Sequence, residues 1–158
     1  MGTSGTRRRA LAVSIVGAIV GIAGGGASIA HAGGSAARGE LILTETTTAR
    51  ASVDVDGSGT PTPGDEFIFH SVLTDASGDT VGGVNGHCTA MLGGRNLCSS
   101  VVSLEHGTLS TTFVAAAGAP TLAISIDGGT GRYDRARGQI SAVRATSVAF
   151  LETFDIDR

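Results

Sequence analysis

The chain of 158 residues contains no lysine and no tryptophan, and only 16% of its residues are charged. With 41% apolar residues, this composition argues against an intrinsically disordered chain, which has too little apolar surface to bury. The absence of lysine excludes a phosphate-binding loop of the Gly-Lys-Ser/Thr type. The length predicts one ordinary domain and leaves little room for two.

Acidic residues are missing from residues 1–32, where Arg7-Arg8-Arg9 precedes the uncharged apolar run Ala10–Ala30. Ala30-His31-Ala32 fits the small-x-small rule of signal peptidase. We therefore expect a secretory signal and a mature chain that begins near Gly33. A retained membrane anchor is the alternative, since roughly 20 apolar residues can span a bilayer.

Removal of the first 32 residues would leave 8 arginines against 14 acidic side chains. A surface of this sign repels phosphate backbones, so we expect no nucleic-acid partner. The expected location is extracellular, where disulfides persist, with no stable membrane association once the signal is removed.

The remaining chain lacks any sustained apolar period of 3.6 residues, so no long amphipathic helix is predicted. Short runs rich in Val, Ile, Thr and Phe recur instead between glycine-rich breaks, of which Asp75–Gly86 is the longest. About eight such strands predict an all-β sandwich or a barrel, and closure into a barrel would hide the sheet edges. The predicted strands are Glu40–Asp56, Glu66–Thr74, His87–Leu92, Leu97–Glu105, Thr108–Ala117, Thr121–Asp127, Gln139–Ser147 and Val148–Asp155.

Alternation along the first and last strands puts two carboxylates on apolar faces. Glu45 shares a face with Leu43 and Thr47, and Glu152 shares one with Phe150. Burying an unpaired carboxylate lowers the stability of the fold by roughly several kcal/mol, unless its pKa rises until the group stays neutral. If the first and last strands close a barrel, the two side chains would approach each other. The alternative is that the two side chains point to solvent. Alternation alone does not decide between the two orientations of Glu45. For Glu152 it favours solvent, because both faces of the last strand are apolar.

Cys88 and Cys98 lie symmetrically about a turn that contains Gly93 and Gly94. In an antiparallel hairpin this symmetry places the two cysteines opposite each other, at a separation that a disulfide can bridge. Reactive or metal-binding thiols are the alternative, but secretion favours the disulfide.

The segment Asp54–Asp65 places Asp54, Asp56, Ser58 and Asp65 at the offsets of a calcium-binding loop. Two prolines interrupt it, no helix is predicted beside it, and an aspartate replaces the expected bidentate glutamate. We therefore interpret it as an acidic turn and expect no metal and no other cofactor.

Three segments resemble those of allene oxide cyclases and dirigent proteins. The most specific is Leu122–Gly138, which is similar to their Ala-Ile-x-Gly-Gly-Thr-Gly-x-Tyr/Phe-x-x-Ala-x-Gly segment. Gly64–Leu73 resembles their second strand, and Gly107–Ser110 resembles a strand opening. The likeness covers nearly all of Gly39–Ile156. It implies an eight-stranded antiparallel barrel around an apolar cavity.

On this basis the barrel domain is expected over residues 39–158, after a flexible mature N-terminus at 33–38. The glycines of the most specific segment allow a sharp turn between two strands, under which Tyr133 and Ala136 would pack. We interpret them as structural. They are Gly128, Gly129, Gly131 and Gly138.

The resemblance also implies roles for individual residues of the cavity. Glu45 matches a cavity glutamate of the plant enzymes and is the candidate catalytic residue. Phe69 and Cys88 match cavity positions, whereas a disulfide would make the thiol of Cys88 unavailable. Polar cavity positions of the plant enzymes are changed here, so we do not expect the plant substrate. The candidate substrate-binding residues are Leu43, Thr47, Phe67, Phe69, Ser71 and Thr121.

Plant members of the family use the cavity to fold a reactive intermediate into the shape that cyclises, or to guide radical coupling. The resemblance therefore implies an isomerase or cyclase that binds a small apolar molecule. The second hypothesis is a non-catalytic dirigent-like or carrier barrel. Self-association is also implied, because plant relatives are often trimers or dimers.

Overall fold

The computed structural model describes residues 39–157. Each strand pairs antiparallel with the next along the chain, and the last pairs with the first, which closes an eight-stranded barrel. The predicted all-β antiparallel barrel is confirmed, and a sandwich is excluded. The strands are β1 Gly39–Val53, β2 Glu66–Thr74, β3 Thr80–Met91, β4 Arg95–Leu104, β5 Gly107–Ala116, β6 Thr121–Gly129, β7 Arg137–Arg144 and β8 Ala149–Asp157.

The predicted signal and the predicted flexible N-terminus, residues 1–38, lie outside the described residues. Within residues 39–157, no helix is long and apolar enough to cross a membrane.

Seven strands begin and end within three residues of their predicted bounds, but β3 does not. The prediction of a connection over Asp75–Gly86 is wrong, because β3 already begins at Thr80. The predicted strand His87–Leu92 is therefore only the second half of β3. Three glycines in the first half produced this error, because glycine clusters usually mark turns.

Two of these glycines occupy places where another part of the wall leaves no room for a side chain. A Cβ on Gly82 would collide with the carbonyl oxygen of Ser103, and a Cβ on Gly86 would collide with the ring of Phe69. Glycine inside a strand often marks such a close approach. The ring of Phe69 can therefore lie against the backbone of β3.

The predicted disulfide is confirmed. Cys88 of β3 lies directly opposite Cys98 of β4, with 4.0 Å between their Cα atoms, and the two sulfurs are bonded. Both side chains are buried and face the barrel interior.

One end of the barrel is packed solid. A 3₁₀ turn, Gly131–Tyr133, follows β6 and places Tyr133 in the core beside Ala136, which has no exposed surface. Gly131 has φ +60°, and a Cβ there would collide with the carbonyl oxygen of His106. The turn therefore depends on glycine for both its backbone conformation and its close packing.

The long strand β1 contains a bulge at Thr48. Thr47 pairs with Ser71 and Ala49 pairs with His70, so Thr48 has no partner of its own in the β1–β2 register. A single extra residue reverses the alternation of the side chains beyond it. Arg50 consequently lies opposite Phe69, a residue of the inner face.

Replacement of Gly138 should destabilise the barrel more than replacement of a glycine in a turn. Gly138 has φ +136°, and a Cβ would collide with the carbonyl oxygen of Asp155. We expect Gly138→Ala to lower the free energy of unfolding by about 3 kcal/mol, because backbone strain and overpacking add. Urea denaturation provides the measurement.

The matched control is Gly93→Ala. Gly93 also has positive φ, +78°, but nothing lies within 4 Å of the Cβ position. Gly93→Ala should lower the free energy of unfolding by about 1–2 kcal/mol, from backbone strain alone. Equal losses in the two variants would contradict the steric explanation.

Candidate functional site

The other end of the barrel holds a cavity of about 180 Å³. Residues of the turn between β7 and β8, Ser147 and Val148, lie at its rim, whereas the packed end contributes nothing to its lining. Most of the wall is apolar. Its larger apolar side chains are Phe67, Phe69, Phe113, Leu122, Ile124, Ile140 and Phe150.

Two larger depressions of about 770 and 540 Å³ lie outside this cavity. The first runs along the outer faces of β1 to β5, where exposed residues such as Ile68 and His70 line it. The second borders the acidic turn between β1 and β2. The cavity is the better candidate for binding a small molecule, because inner-face side chains of all eight strands line it, whereas the two depressions are lined largely by exposed residues.

Glu45 and Glu152 both line the cavity. The β1–β8 register places Glu152 opposite Leu43 and Glu45 opposite Phe150, so the two carboxylates are diagonal neighbours on the inner face. Glu45 is half-buried, whereas the exposed fraction of Glu152 is 2%. The expectation that Glu152 points to solvent is therefore wrong. Closure of the barrel turns its face inward.

The pKa of Glu152 is raised from its ordinary value to about 9. Burial is the largest cause, because it penalises the charged form, and the neighbouring charge of Glu45 acts in the same direction. A hydrogen bond to Glu45 also stabilises the protonated form. At neutral pH, Glu152 is therefore a protonated carboxyl that donates to a Glu45 oxygen.

Of the predicted cavity residues, Thr47, Phe67 and Phe69 line the cavity together with Glu45. The rings of Phe67 and Phe69 lie 6.5 Å apart between centroids and are tilted by 41°. Ser71 is fully buried and its hydroxyl donates to Thr47 Oγ1 over 3.3 Å, so it supports the lining from behind.

The other two predicted residues lie elsewhere. Leu43 is buried in the core without reaching the cavity, and Thr121 is exposed on the outer face. The inner face of β6 is formed by Leu122 and Ile124, which do line the cavity. The prediction that Thr121 lines the cavity is therefore wrong, because neighbouring residues of a strand point to opposite faces of the sheet.

Two arginines at the rim of the cavity were not among the predicted site residues. The guanidinium carbon of Arg50 lies 4.2 Å from the ring centroid of Phe67, and that of Arg144 lies 4.5 Å from that of Phe150. Such cation–π contacts hold a guanidinium against an aromatic face. Alternation from Ile140 to Arg144 could have identified the second arginine, but the bulge that turns Arg50 inward has no sequence signature.

The acidic turn brings Asp54, Asp56 and Asp65 together, with oxygens within 4.8 Å of one another. Backbone N–H groups of the turn donate to all three carboxylates. The hydrogen bond from Ser58 lowers the pKa of Asp56, and that from Thr62 lowers the pKa of Asp65. These contacts explain the cluster as a self-capped turn.

No family model and no curated protein matches this chain. Solved structures nevertheless share the barrel. A pyocyanin demethylase is 22% identical over 75% of this chain and 99% of its own, with a TM-score of 0.65. An exo-specific intermolecular Diels-Alderase is 13% identical over 76% and 98%, with a TM-score of 0.57.

A pterocarpan synthase dirigent protein is 20% identical over 75% of this chain and 82% of its own, with a TM-score of 0.58. These neighbours confirm the predicted likeness to dirigent-like and cyclase-like barrels at the level of the fold.

The raised pKa of Glu152 predicts a stability that falls with pH. The folded state holds a proton that the unfolded state releases near pH 4.5, so the stabilisation is full below that pH and is lost as the pH rises towards 9. We expect the free energy of unfolding to fall by roughly several kcal/mol between pH 5 and 9. Glu152→Gln, which cannot ionise, should flatten this profile in urea denaturation.

The matched control is Asp155→Asn, which changes an exposed acid on the same strand. It should retain the wild-type slope. Asp56 and Asp65 act below pH 3.8, where their lowered pKa values make stability fall with acid, so they do not affect this window. Parallel profiles of the wild type and Glu152→Gln would contradict the assignment.

Proposed function

We propose that this barrel binds a small apolar molecule in its cavity and steers the cyclisation or isomerisation of that molecule. The Glu45–Glu152 pair supplies the polar chemistry, and Phe67 and Phe69 shape the wall. The dirigent-like and Diels-Alderase neighbours support a barrel that controls the conformation of its guest.

The observation that carries this proposal is the juxtaposition of Glu45 and the buried Glu152 on the inner wall of an apolar cavity. A scaffold that only encloses an apolar guest needs no such pair, and burying Glu152 destabilises its charged form. Perturbed carboxyls in clefts are a frequent feature of catalytic sites.

The pair offers a proton donor and a proton acceptor side by side. In an isomerisation, one proton passes from the pair to a carbonyl oxygen of the substrate, and one proton returns to the pair from the carbon next to that carbonyl. The pair therefore ends in its starting state, and the step needs no cofactor. In a cyclisation, a hydrogen bond from Glu152 to a substrate oxygen would stabilise negative charge that develops there.

Conformational control contributes separately from proton transfer. A cavity that holds a flexible molecule in its reactive shape can supply up to roughly 7–11 kcal/mol of the barrier. The tilted rings of Phe67 and Phe69 restrict that shape from one side, and Phe113 and Phe150 lie on other strands of the wall.

The second candidate is a non-catalytic carrier or dirigent-like barrel. The same apolar lining supports it. It requires binding alone, so neither carboxylate would change the fate of the guest.

An extracellular location belongs to the same proposal. The Cys88–Cys98 disulfide is compatible with it, because disulfides persist in oxidising compartments.

The experiment begins with mass spectrometry of small molecules that co-purify with the protein. With the substrate so identified, we expect Glu152→Gln and Glu45→Gln each to lower kcat by about 10²–10⁴, the usual contribution of general acid–base catalysis. Binding should change little, because both substitutions keep the volume of the side chain.

Asp155→Asn is again the control and should keep full turnover. Unchanged turnover in both glutamine variants would remove the pair from the mechanism. A wild-type protein that binds the molecule and leaves it chemically unchanged would establish the carrier instead.

A further inference from the structure

The rim of the cavity is positively charged in a protein whose surface is acidic. Residues 39–157 contain 6 arginines and 14 acidic residues. Two of those arginines line the cavity, and the only acids among its lining residues are Glu45 and Glu152, which share the hydrogen bond described above. The sign of the charge at the rim is therefore opposite to that of the chain as a whole.

The bulge at Thr48 is what gives Arg50 this place. Without the extra residue, alternation would direct Ala49 inward and Arg50 outward. Bulges commonly re-aim a side chain next to a functional site. Here the re-aimed guanidinium stacks on Phe67 at the rim.

Arg144 lies on β7, which is separated from β1 only by β8, and two contacts hold its side chain at the rim. Its Nε donates to the carbonyl oxygen of Ala119 over 3.0 Å, and its guanidinium lies against the ring of Phe150. The side chain is half-buried. Within residues 39–157 its other N–H groups have no hydrogen-bond acceptor, and neither Arg144 nor Arg50 has a carboxylate within ion-pair distance.

The strand order keeps Arg144 apart from the inner carboxylates. In one row of paired residues across β7, β8 and β1, here called a rung, Arg144 pairs with Phe150 and Phe150 pairs with Glu45. Adjacent strands lie about 4.8 Å apart, so the backbones of Arg144 and Glu45 are separated by about 10 Å. The aromatic ring thus stands between the guanidinium and the carboxyl pair.

We infer that the guest of this cavity is an apolar molecule with a terminal carboxylate, which Arg50 and Arg144 hold at the rim. The planar guanidinium fork matches a carboxylate in geometry and in charge. The apolar part would then extend past the phenylalanines towards Glu45 and Glu152. This inference rests on the proposed binding function and specifies its substrate class.

The test compares octanoate with octan-1-ol, two guests of the same chain length that differ in the anionic group. Titration calorimetry at pH 7 and low salt measures both dissociation constants. We expect octanoate to bind about tenfold more tightly than octan-1-ol, the contribution of one or two charge-assisted hydrogen bonds at a half-buried site. High salt should reduce this preference, because it screens the rim charges.

Arg50→Gln and Arg144→Gln should each reduce the preference about threefold, and the double variant should abolish it while octan-1-ol binds as before. Arg144→Lys, which keeps the charge but not the fork, should retain part of it. Arg132→Gln is the matched control, since it removes the charge of an exposed arginine in the turn at the packed end. It should leave the preference intact.

Equal affinities of the wild type for the two guests would overturn this inference and leave apolar binding in place. So would a preference for octanoate that survives in the double variant. Binding of neither guest would overturn the inference together with the proposed function. Arg50 is exposed, so its variant tests the inference even if loss of the Arg144 contact to Ala119 prevents folding.

Discussion

The pairing of β1 with β8 is the interaction on which the site depends. It joins the first strand of the barrel to the last, so it closes the sheet, and its register alone sets Glu45 diagonally opposite Glu152. A shift of one residue would turn every side chain of a strand to the other face. Such a shift would place Glu152 in solvent and Phe154, now fully buried, outside with it. The apolar core of β8 therefore also holds the carboxyl pair in place.

The two ends of the barrel divide stability from function. At the packed end, Tyr133 and Ala136 fill the interior, and Gly131 and Gly138 permit the close backbone approaches that such packing requires. At the other end, the wall leaves a cavity, and the Cys88–Cys98 bond joins the neighbouring strands β3 and β4 beside it. The disulfide stabilises this end of the barrel mainly because it removes conformational entropy from the unfolded chain.

Features set by local chemistry could be predicted from the sequence, and features set by closure could not. The bounds of seven strands and the disulfide follow from alternation and from symmetry about a turn, which involve residues close in the chain. The burial of Glu152 depends on which strand lies beside β8. Likewise, Gly82 and Gly86 resemble a loop in sequence, because the groups that exclude their side chains, Ser103 and Phe69, belong to other strands.

Phe150 explains how a protonated acid and the guanidinium of Arg144 can share one cavity. A guanidinium within about 4–6 Å of a carboxyl favours its charged form, and would lower the pKa that burial and Glu45 raise at Glu152. Arg144 instead stacks on Phe150, which occupies the rung position between Arg144 and Glu45, and the Ala119 carbonyl holds its Nε at the rim. The ring thus binds the cation on one side and keeps it from the acid on the other. The proton inside the cavity and the positive charge of Arg144 at its rim can coexist because this one aromatic residue separates them.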